Sequence, residues 1–444
     1  TEDNEMVVHS STQNPTEVQH LVAHVLDVPQ NAIEVVTRRM GGGFGGKETD
    51  SSQLACVCAI FAQQTKLSIK ARLSRKDDIL MTGKRHDFKA DYKVGYADDG
   101  KILGIEVDLA ARCGYSLDLS KAIVSRALFH ADNAYFMPNA TFRGFLCKTN
   151  TASNTAFRGF GGPQGMLVIE NIIEEIAMNI GVDPLEIRKL NYYQKETNNV
   201  TPYDQVVEDN IINELSSELV EDSKYLARRQ SIEDFNKNNK YLKKGLALSP
   251  VKFGISFTTQ LLNQAGALVN VYKDGSIYIN HGGTEMGQGL FIKVAQVVAN
   301  EFGVNLERVK VSATSTSKVP NTSPTAASSG SDLNGMAARE ACLRIKKNLT
   351  IFAQNFYGED NDIIEFKDSY VHVGKKKIAF DEFVSTAYLN RVELFSNGFY
   401  KTPKIYFDAI KQKGRPFYYY SYGACVSEVI VDCSTGEYKL LAVD

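Results

Sequence analysis

The chain has 444 residues, of which 43% are hydrophobic and 10% aromatic, enough to fill the cores of about two to four domains. Its 50 basic and 52 acidic residues leave a formal net charge of -2, which gives no reason to expect a nucleic-acid or membrane-surface partner. Seven scattered cysteines without a C-x-x-C pair favour a reducing compartment over a disulfide framework. No apolar run approaches the roughly 18 residues needed to span a bilayer.

The first 73 residues have the pattern of an α/β unit that contains a glycine-rich loop. Apolar spacing predicts a helix from residue 16 to 25, a strand at 33–37, a second helix through 54–61 and a strand at 67–73. Residues 41–48, GGGFGGKE, form the loop between the first strand and the second helix.

Strands at 88–96 and 102–111 follow, joined by Asp98-Asp99-Gly100, which is a hairpin signature. A second glycine loop at 156–164, AFRGFGGPQ, leads into a helix predicted over 163–179. Gly181 ends that helix, and Asp183-Pro184 supplies the cap and first-turn proline of the next.

Residues from about 193 to 244 are rich in Asn, Glu, Lys and Asp and predict a polar helical connector. Beyond it the pattern predicts strands at 245–258 and 268–280, with a turn at 273–275, and a helix over 287–302. Two more glycine loops lie at 282–289 and 325–335. The predicted domains are therefore a first lobe at 1–195, the connector at 196–244 and a second lobe at 245–444.

An internal similarity indicates a duplication. Residues 18–35 align with residues 294–311 at a constant offset, with identical residues at Val18/Val294, Ala23/Ala299, Val28/Val304 and Val35/Val311. The alternative is that any amphipathic helix followed by a strand would align this well.

Glycine loops let main-chain N–H groups approach a ligand closely, so four of them indicate one large anionic ligand held from several sides. The first loop matches both dinucleotide and phosphate-loop patterns. However, Glu48 stands where a magnesium-binding hydroxyl belongs, and its carboxylate would repel a triphosphate. The acidic residue expected about twenty residues further on for a dinucleotide is replaced by a segment with Lys66 and Lys70.

Five motifs together, GGGFGGKE, SNTAFRGFGGPQ, NQAG, HGGTEMGQGL and SPTAAS, resemble the molybdenum-binding portion of the xanthine dehydrogenase / xanthine oxidase family. The resemblance implies an α/β (mixed α+β) fold with two lobes that bind molybdopterin, the second lobe incomplete at its C-terminus. It implies that the metal is held by the pterin dithiolene and not by side chains. The residues that it places against the cofactor are Gly43, Phe44, Gly45, Arg158, Gly287, Gln288, Ala327, Ser328, Ser329, Gly330 and Ser331.

The resemblance also implies a reaction, the hydroxylation of hypoxanthine and xanthine to urate with water as the oxygen source. Glu48 and Arg126 match the residues that hydrogen-bond the purine from opposite ends, and they are the predicted catalytic residues. Phe160 and Phe257 match two rings that sandwich the heterocycle, and Thr258 matches a hydroxyl that contacts it. An aldehyde oxidase of the same fold and a catalytically incompetent binding or interaction module stay open as alternatives.

The glutamate that acts as base in the family belongs to a GEP-type motif, which this sequence does not contain. Since the chain starts without methionine and stops inside a predicted strand at 438–443, we expect it to be a piece of a longer protein. The resemblance implies that 2Fe-2S clusters and FAD lie in the remaining domains of that parent, which would be a cytoplasmic homodimer, with the peroxisome as an alternative location. Whether NAD or oxygen accepts the electrons stays open.

Overall fold

The computed structural model describes residues 5–358 and 363–444 and confirms a mixed helix-and-sheet fold. The helices are α1 (Pro15–Leu26), α2 (Asp50–Thr65), α3 (Arg75–Met81), α4 (Ser120–Phe129), α5 (Gly162–Ile180), α6 (Pro184–Asn191), α7 (Ile212–Asp222), α8 (Tyr225–Asn238), α9 (Leu290–Phe302), α10 (Gly330–Tyr357) and α11 (Phe380–Leu389). The strands are β1 (Met6–His9), β2 (Ile33–Thr37), β3 (Phe88–Tyr96), β4 (Ile102–Gly114), β5 (Ala140–Lys148), β6 (Leu242–Ile255), β7 (Gln264–Val271), β8 (Ile277–His281), β9 (Val309–Val311), β10 (Thr314–Ser315), β11 (Ile364–Lys367), β12 (Tyr370–Val373), β13 (Lys376–Ala379), β14 (Phe395–Lys401), β15 (Tyr406–Asp408), β16 (Lys413–Arg415), β17 (Tyr419–Asp432) and β18 (Tyr438–Val443).

The chain divides into two compact units, and each is built from three separate segments. The first unit comprises Thr1–Lys84, Thr155–Arg158 and Thr259–Pro403. The second unit comprises Arg85–Asn154, Gly159–Thr258 and Lys404–Asp444. The two units thus alternate along the chain, and the predicted domain boundaries at 195 and 244 stay a prediction.

The first unit contains two β-α-β elements. In one, α1 connects the parallel strands β1 and β2; in the other, α9 connects the parallel strands β8 and β9. Each helix ends at a left-handed residue, Asp27 or Gly303, and each is followed by a short 3-10 turn, Gln30–Ala32 or Leu306–Arg308. These features share the offset found in the sequence, which confirms the internal similarity and places both copies in one unit.

Two sheets of the first unit pack against the long helix α10. Strands pair in the order β14-β7-β8-β9, with β14 and β7 antiparallel and packed on α10. The β1-β2 pair extends to β10, and β11, β12 and β13 form a separate antiparallel meander. The apolar faces of α1, α2 and β2 meet around Val18, Val22 and Val35, each with no exposed surface, so burial of these side chains supplies the driving force for this part of the fold.

The second unit has two three-stranded sheets. In the first, β4 lies between β3 and β5, and its buried face packs against α5 through Ile169, Ile172 and Ile173. In the second, the long strand β17 lies between β18 and β6. Helices α7 and α8 lie in the polar segment 196–244; α8 packs on β6 through Tyr225 and Ile232, and α7 packs on β17, with Leu219 and Val220 against the same apolar cluster.

Most of the predicted elements are confirmed. Strands β2 and β3 have the predicted bounds, and the turn with Gly100 at φ 89° joins β3 to β4. The strand predicted at 67–73 is wrong, because that segment is irregular and pairs with no strand in the described part of the chain. Its alternating apolar residues lack a sheet to cover them, and Leu67 is 67% exposed. No helix among the described residues is long and apolar enough to cross a membrane.

Candidate cofactor and substrate residues

The first glycine loop is shaped by contacts within the first unit. Its main chain pairs with the third loop, since Met40 N–H donates to Glu285 O at 3.1 Å and Gly42 N–H to Met286 O at 3.2 Å. Phe44 and Gly45 adopt left-handed φ values of 56° and 100°. A Cβ on Gly45 would lie 2.7 Å from the main-chain carbon of Ala156, so this position requires glycine.

Gln13 joins two of the loops. Its Nε2 donates to Thr325 O at 3.0 Å, and its Oε1 accepts from Gly45 N–H at 2.8 Å. Its own carbonyl accepts from Thr325 N–H at 2.9 Å. A side chain on Gly43 would come within 2.6 Å of Gln13 Oε1 and 2.7 Å of Met286 Sδ. Gln13 therefore fixes the first and fourth loops against one another.

Glu285 organises the third loop. Its Oε1 accepts from Gly287 N–H at 2.9 Å and Gly289 N–H at 3.1 Å, and its Oε2 from Phe291 N–H at 3.0 Å. Although burial opposes the charge, these donors lower the pKa of the Glu285 carboxyl below its ordinary value. The loop's amide groups are thus partly occupied by a carboxylate from the loop itself.

Gln288 closes the same turn. Its Nε2 donates to Thr284 O at 3.0 Å and its Oε1 accepts from Met286 N–H at 2.7 Å. One amide hydrogen of Gln288 remains for another acceptor, because a primary amide carries two. The predicted contacts of Gly287 and Gln288 with a cofactor stay predictions.

The buried His281 precedes this loop. Its Nδ1 accepts from Gly283 N–H at 3.1 Å. Burial lowers its pKa to about 4, so the ring is neutral at neutral pH.

The fourth loop ends in the N-terminus of α10. Ala327 and Ser328 are both left-handed, at φ 55° and 57°, a conformation that is costly for residues with a side chain. Ser329 Oγ donates back to Ala326 O at 3.1 Å. Helix α10 then starts at Gly330 and runs for 28 residues, so the N–H groups of its first turn, including that of Ser331, form a positive helix end.

The second glycine loop contains a boundary between the two units, which falls between Arg158 and Gly159. Arg158 lies in the first unit and is exposed, whereas Phe160, left-handed at φ 50°, lies in the second. Within the second unit, a Cβ on Gly161 would lie 2.1 Å from Ile123 O, and one on Gly165 would lie 2.1 Å from Ala127 O. These glycines let α5 pack directly on the backbone of α4, which is a structural reason for glycine that needs no ligand.

Arg126 is a buried cation, 2% exposed, on α4. Its Nη1 donates to Gly254 O at 3.0 Å and its Nη2 to Ser256 O. The guanidinium carbon lies 5.4 Å from the centre of the Phe253 ring and 5.2 Å from that of Phe417. Burial lowers the pKa of Arg126 to about 10, which leaves it charged at neutral pH.

The other predicted substrate residues lie in both units. Phe257, 9% exposed, and the half-buried Thr258 lie just after β6 in the second unit, one and two residues beyond Ser256, whose carbonyl Arg126 contacts. Glu48 is buried, 6% exposed, and lies in the first unit. Because Glu48 and Arg126 belong to different units, the predicted arrangement of the two around one substrate stays a prediction.

Sequence reasoning missed Gln13, His130 and Glu285. A signal for Gln13 existed in the sequence, since Thr12, Gln13 and Asn14 are consecutive polar residues directly before a helix. The structure shows that all three are buried and that Asn14 caps the helix. In the described ranges 5–358 and 363–444, no three His, Cys, Asp or Glu side chains are grouped as metal ligands.

Models of the molybdopterin cofactor-binding domain match residues 1–192 and 218–444. Along essentially its whole length the chain is 44% identical to xanthine dehydrogenase/oxidase of Gallus gallus, and to the xanthine dehydrogenases of rice (Oryza sativa subsp. japonica) and Dictyostelium discoideum. It spans 31% of the length of each of these relatives.

Solved structures share the fold. Quinoline 2-oxidoreductase from Pseudomonas putida 86 gives a TM-score of 0.85 at 21% identity, with 98% of this chain and 56% of that chain covered. Aldehyde oxidoreductase from Desulfovibrio gigas gives 0.84 at 24% identity, with 100% and 45% covered. These likenesses establish the architecture, and the family models and the 44% identity establish the kinship: the chain belongs to the molybdopterin cofactor-binding domains of the xanthine dehydrogenase type.

Proposed function

We propose that this chain is the cofactor- and substrate-binding part of a molybdenum hydroxylase that oxidises hypoxanthine and xanthine to urate. The observation that carries the proposal is Arg126, a buried guanidinium whose two hydrogen bonds go to main-chain carbonyls. Because its partners are carbonyl dipoles and not a carboxylate, the positive charge of this guanidinium is not neutralised. It can stabilise negative charge that develops on a group of the substrate, which is the basis of electrostatic catalysis. Hypoxanthine and xanthine offer such a group in an exocyclic carbonyl oxygen on the ring, away from the carbon that reacts.

Glu48 is the proposed partner of Arg126 in substrate binding. Its carboxylate is buried, and in a low-dielectric site such a group accepts a hydrogen bond from, or shares a proton with, a purine ring nitrogen. Phe160 and Phe257 supply apolar ring surface for a flat heterocycle, and the Thr258 hydroxyl offers one further hydrogen bond. These roles discriminate a purine from a simple aldehyde, which has no second polar edge.

The loops of the first unit fit a phosphorylated pterin. The glycines at 43 and 45 leave no room for side chains of their own, and left-handed Ala327 and Ser328 precede the positive end of α10. Successive N–H groups in this conformation form concave anion sites. When bound, the molybdenum cofactor supplies the redox centre at which the substrate is oxidised; Gly43, Gly45, Gln288 and residues 327–331 would hold its pterin and phosphate.

The test uses the natural full-length protein made in a host that inserts the cofactor. We expect molybdenum by elemental analysis and a preference for xanthine over an aromatic aldehyde. Replacing Arg126 with Met should reduce kcat/KM for xanthine by on the order of 100-fold, the typical cost of removing a charge-stabilising donor, and change aldehyde turnover far less. A clear aldehyde preference of the unaltered protein would establish the aldehyde oxidase alternative, and a lack of molybdenum would establish the interaction module.

Glu48→Ala separates substrate binding from cofactor binding. We expect turnover of xanthine and hypoxanthine to fall much more than molybdenum content, because the carboxylate acts on the substrate. An equal loss of both would show that Glu48 has a structural role.

The longer protein is part of the same proposal. Electrons would pass to 2Fe-2S and FAD domains outside this chain, in a cytoplasmic homodimer. Size-exclusion chromatography and the flavin and iron absorption spectrum of the full-length protein test this assignment.

A further inference from the structure

The outer edge of β6 is covered by side chains. Within the second unit, odd-numbered residues such as Ile255 direct their carbonyls to the β17 side, where Tyr418 N–H donates to Ile255 O at 3.1 Å. Even-numbered residues direct their main-chain groups to the opposite edge. Three side chains of α4 and the turn after it meet that edge: Arg126, His130 and Asn133.

The contacts of these three residues follow β6 in order. Asn133 Nδ2 donates to Pro250 O at 2.8 Å, and its Oδ1 accepts from Lys252 N–H at 3.1 Å. His130 accepts from Gly254 N–H at 3.0 Å, and Arg126 donates to Gly254 O and Ser256 O. The main-chain N–H and C=O groups at a strand edge are normally satisfied by another strand. Here side chains of α4 and of the turn after it form those hydrogen bonds and fix the position of α4 along β6.

The tautomer of His130 follows from its partners. Because a main-chain N–H can only donate, His130 Nε2 must be the unprotonated nitrogen that accepts from Gly254. The proton is then on Nδ1, which donates to Arg126 O at 2.9 Å. The neutral ring thus connects the main chain of Arg126 to Gly254. The carbonyl of Gly254 in turn accepts a hydrogen bond from the Arg126 guanidinium.

The surroundings keep this ring in place and neutral. It lies 4.7 Å from the Phe253 ring and 5.3 Å from the Phe417 ring, between centres. Gly254 cannot carry a side chain, because a Cβ would lie 2.3 Å from Phe417. Burial and the nearby charges of Arg126 and Lys252 hold the pKa of His130 well below its ordinary value.

A buried ion pair supports the same contact. Lys252 Nζ lies 3.3 Å from Asp132 Oδ2, and both side chains are 1% exposed. Tyr193 Oη also donates to that oxygen, at 2.7 Å. The pair joins the turn after α4 to β6 at a second point, beside the Asn133 and His130 contacts.

We propose that His130 is a positioning residue that orients the guanidinium of Arg126 toward the substrate and thereby sets the preference for substrates that carry a carbonyl oxygen on the ring, away from the carbon that reacts. The inference rests on the proposed function of Arg126. It adds to the proposed determinants of specificity a residue that acts through Arg126 and Gly254 and not by contact with the substrate.

The experiment compares kcat/KM for xanthine with kcat/KM for an aromatic aldehyde in the full-length, molybdenum-loaded protein. His130→Leu should lower this ratio about tenfold or more at unchanged molybdenum content, because the aldehyde does not need Arg126. His130→Gln, whose Oε1 can accept from Gly254 N–H, should restore much of the ratio. Ile187→Ala is the matched control: it destabilises the same unit by opening its apolar core and should leave the ratio unchanged.

The outcomes separate the two proposals. An unchanged ratio in Arg126→Met overturns the proposed function and the inference with it. A lowered ratio in Arg126→Met together with an unchanged ratio in His130→Leu overturns the inference alone. Should His130→Leu yield no soluble protein, His130→Gln and His130→Asn decide: a ratio nearer to the unaltered protein in Gln supports the acceptor role toward Gly254, and equal ratios refute it.

Discussion

Two glycine-rich regions with similar sequences use glycine for different physical reasons. In the loops of the first unit, main-chain N–H groups of residues 41–48 and 282–289 donate hydrogen bonds to Gln13 and Glu285, and Gly41 and Gly287 have no atom within 4 Å of an added Cβ. In the α4–α5 contact of the second unit, Gly161 and Gly165 press against main-chain oxygens. A glycine therefore either leaves open space or permits a close contact, and both uses occur within the first loop, at Gly41 and at Gly45, whose added Cβ would lie 2.7 Å from Ala156; only the surroundings distinguish the two.

The largest expected effect comes from the α4–α5 contact. Gly165→Ala should destabilise the protein by roughly 3 kcal/mol or more, since the new methyl group would lie 2.1 Å from Ala127 O and backbone atoms cannot yield as a flexible side chain does. The gain in helix propensity, about 1 kcal/mol, is smaller. Thermal inactivation of the full-length protein measures the loss. Met178→Ala on the same helix, at a side chain 78% exposed, is the control, and similar stability of the two variants would contradict the packing explanation.

The next effect is the pH dependence of the third loop. The pKa of His281 is lowered from 6.5 to about 4 in the folded protein. Between pH 6.5 and pH 4, His281 is therefore protonated in the unfolded chain and neutral in the folded one. Stability should therefore fall as the pH drops from 6.5 to 4, by about 3 kcal/mol in total. His281→Asn keeps an acceptor for Gly283 N–H and should flatten this dependence. Hydrogen exchange of residues 282–290 measures it, and an unaltered pH profile in the variant would assign the effect to other groups.

A smaller effect is expected at the loop's own carboxylate. Glu285→Gln replaces charged acceptors with neutral ones and leaves Phe291 N–H facing an amide, which should speed hydrogen exchange of residues 287–291 by about tenfold. Because the pKa of Glu285 is lowered, its contribution is present above its ordinary pKa of 4.5 and is lost as the pH falls further. Glu307→Gln, at an exposed carboxylate of the same unit, should change nothing, and equal protection in both variants would remove Glu285 as the organiser of the loop.

The smallest effect is expected at the start of the first loop. Gly41→Ala should change stability by less than about 0.5 kcal/mol, because the added carbon meets no atom and the residue is not left-handed. Gly45→Ala, at φ 100° and against Ala156, should be clearly destabilising. Thermal inactivation of the two variants compares them directly, and a large loss in Gly41→Ala would mean that the open part of this loop is packed after all.

Local patterns predicted the local structure. The hairpin β3–β4, the cap at Asp183 and the repeated helix-turn-strand element all depend on neighbours in sequence, and all are confirmed. The irregular segment at 67–73 shows the limit, since an alternating pattern forms a strand only beside a partner. The contact of His130 with Gly254 spans 124 positions, and no local periodicity encodes it. The family motifs predict which residues contact the cofactor, and those contacts stay predictions; the motifs do not identify Gln13 or His130, whose roles depend on contacts distant in the sequence.

The alternation of the two units along the chain has a consequence for synthesis. The first unit needs residues up to Pro403, and β6 of the second unit acquires its neighbour only when β17, at Tyr419–Asp432, has been made. When the first half of this chain has been made, neither unit is therefore complete, although multidomain proteins commonly fold from the N-terminus onward. The apolar segments of both units made early must therefore stay out of aggregates until β17 has been synthesised, so a truncation before Tyr419 leaves the second unit incomplete just as an earlier truncation does.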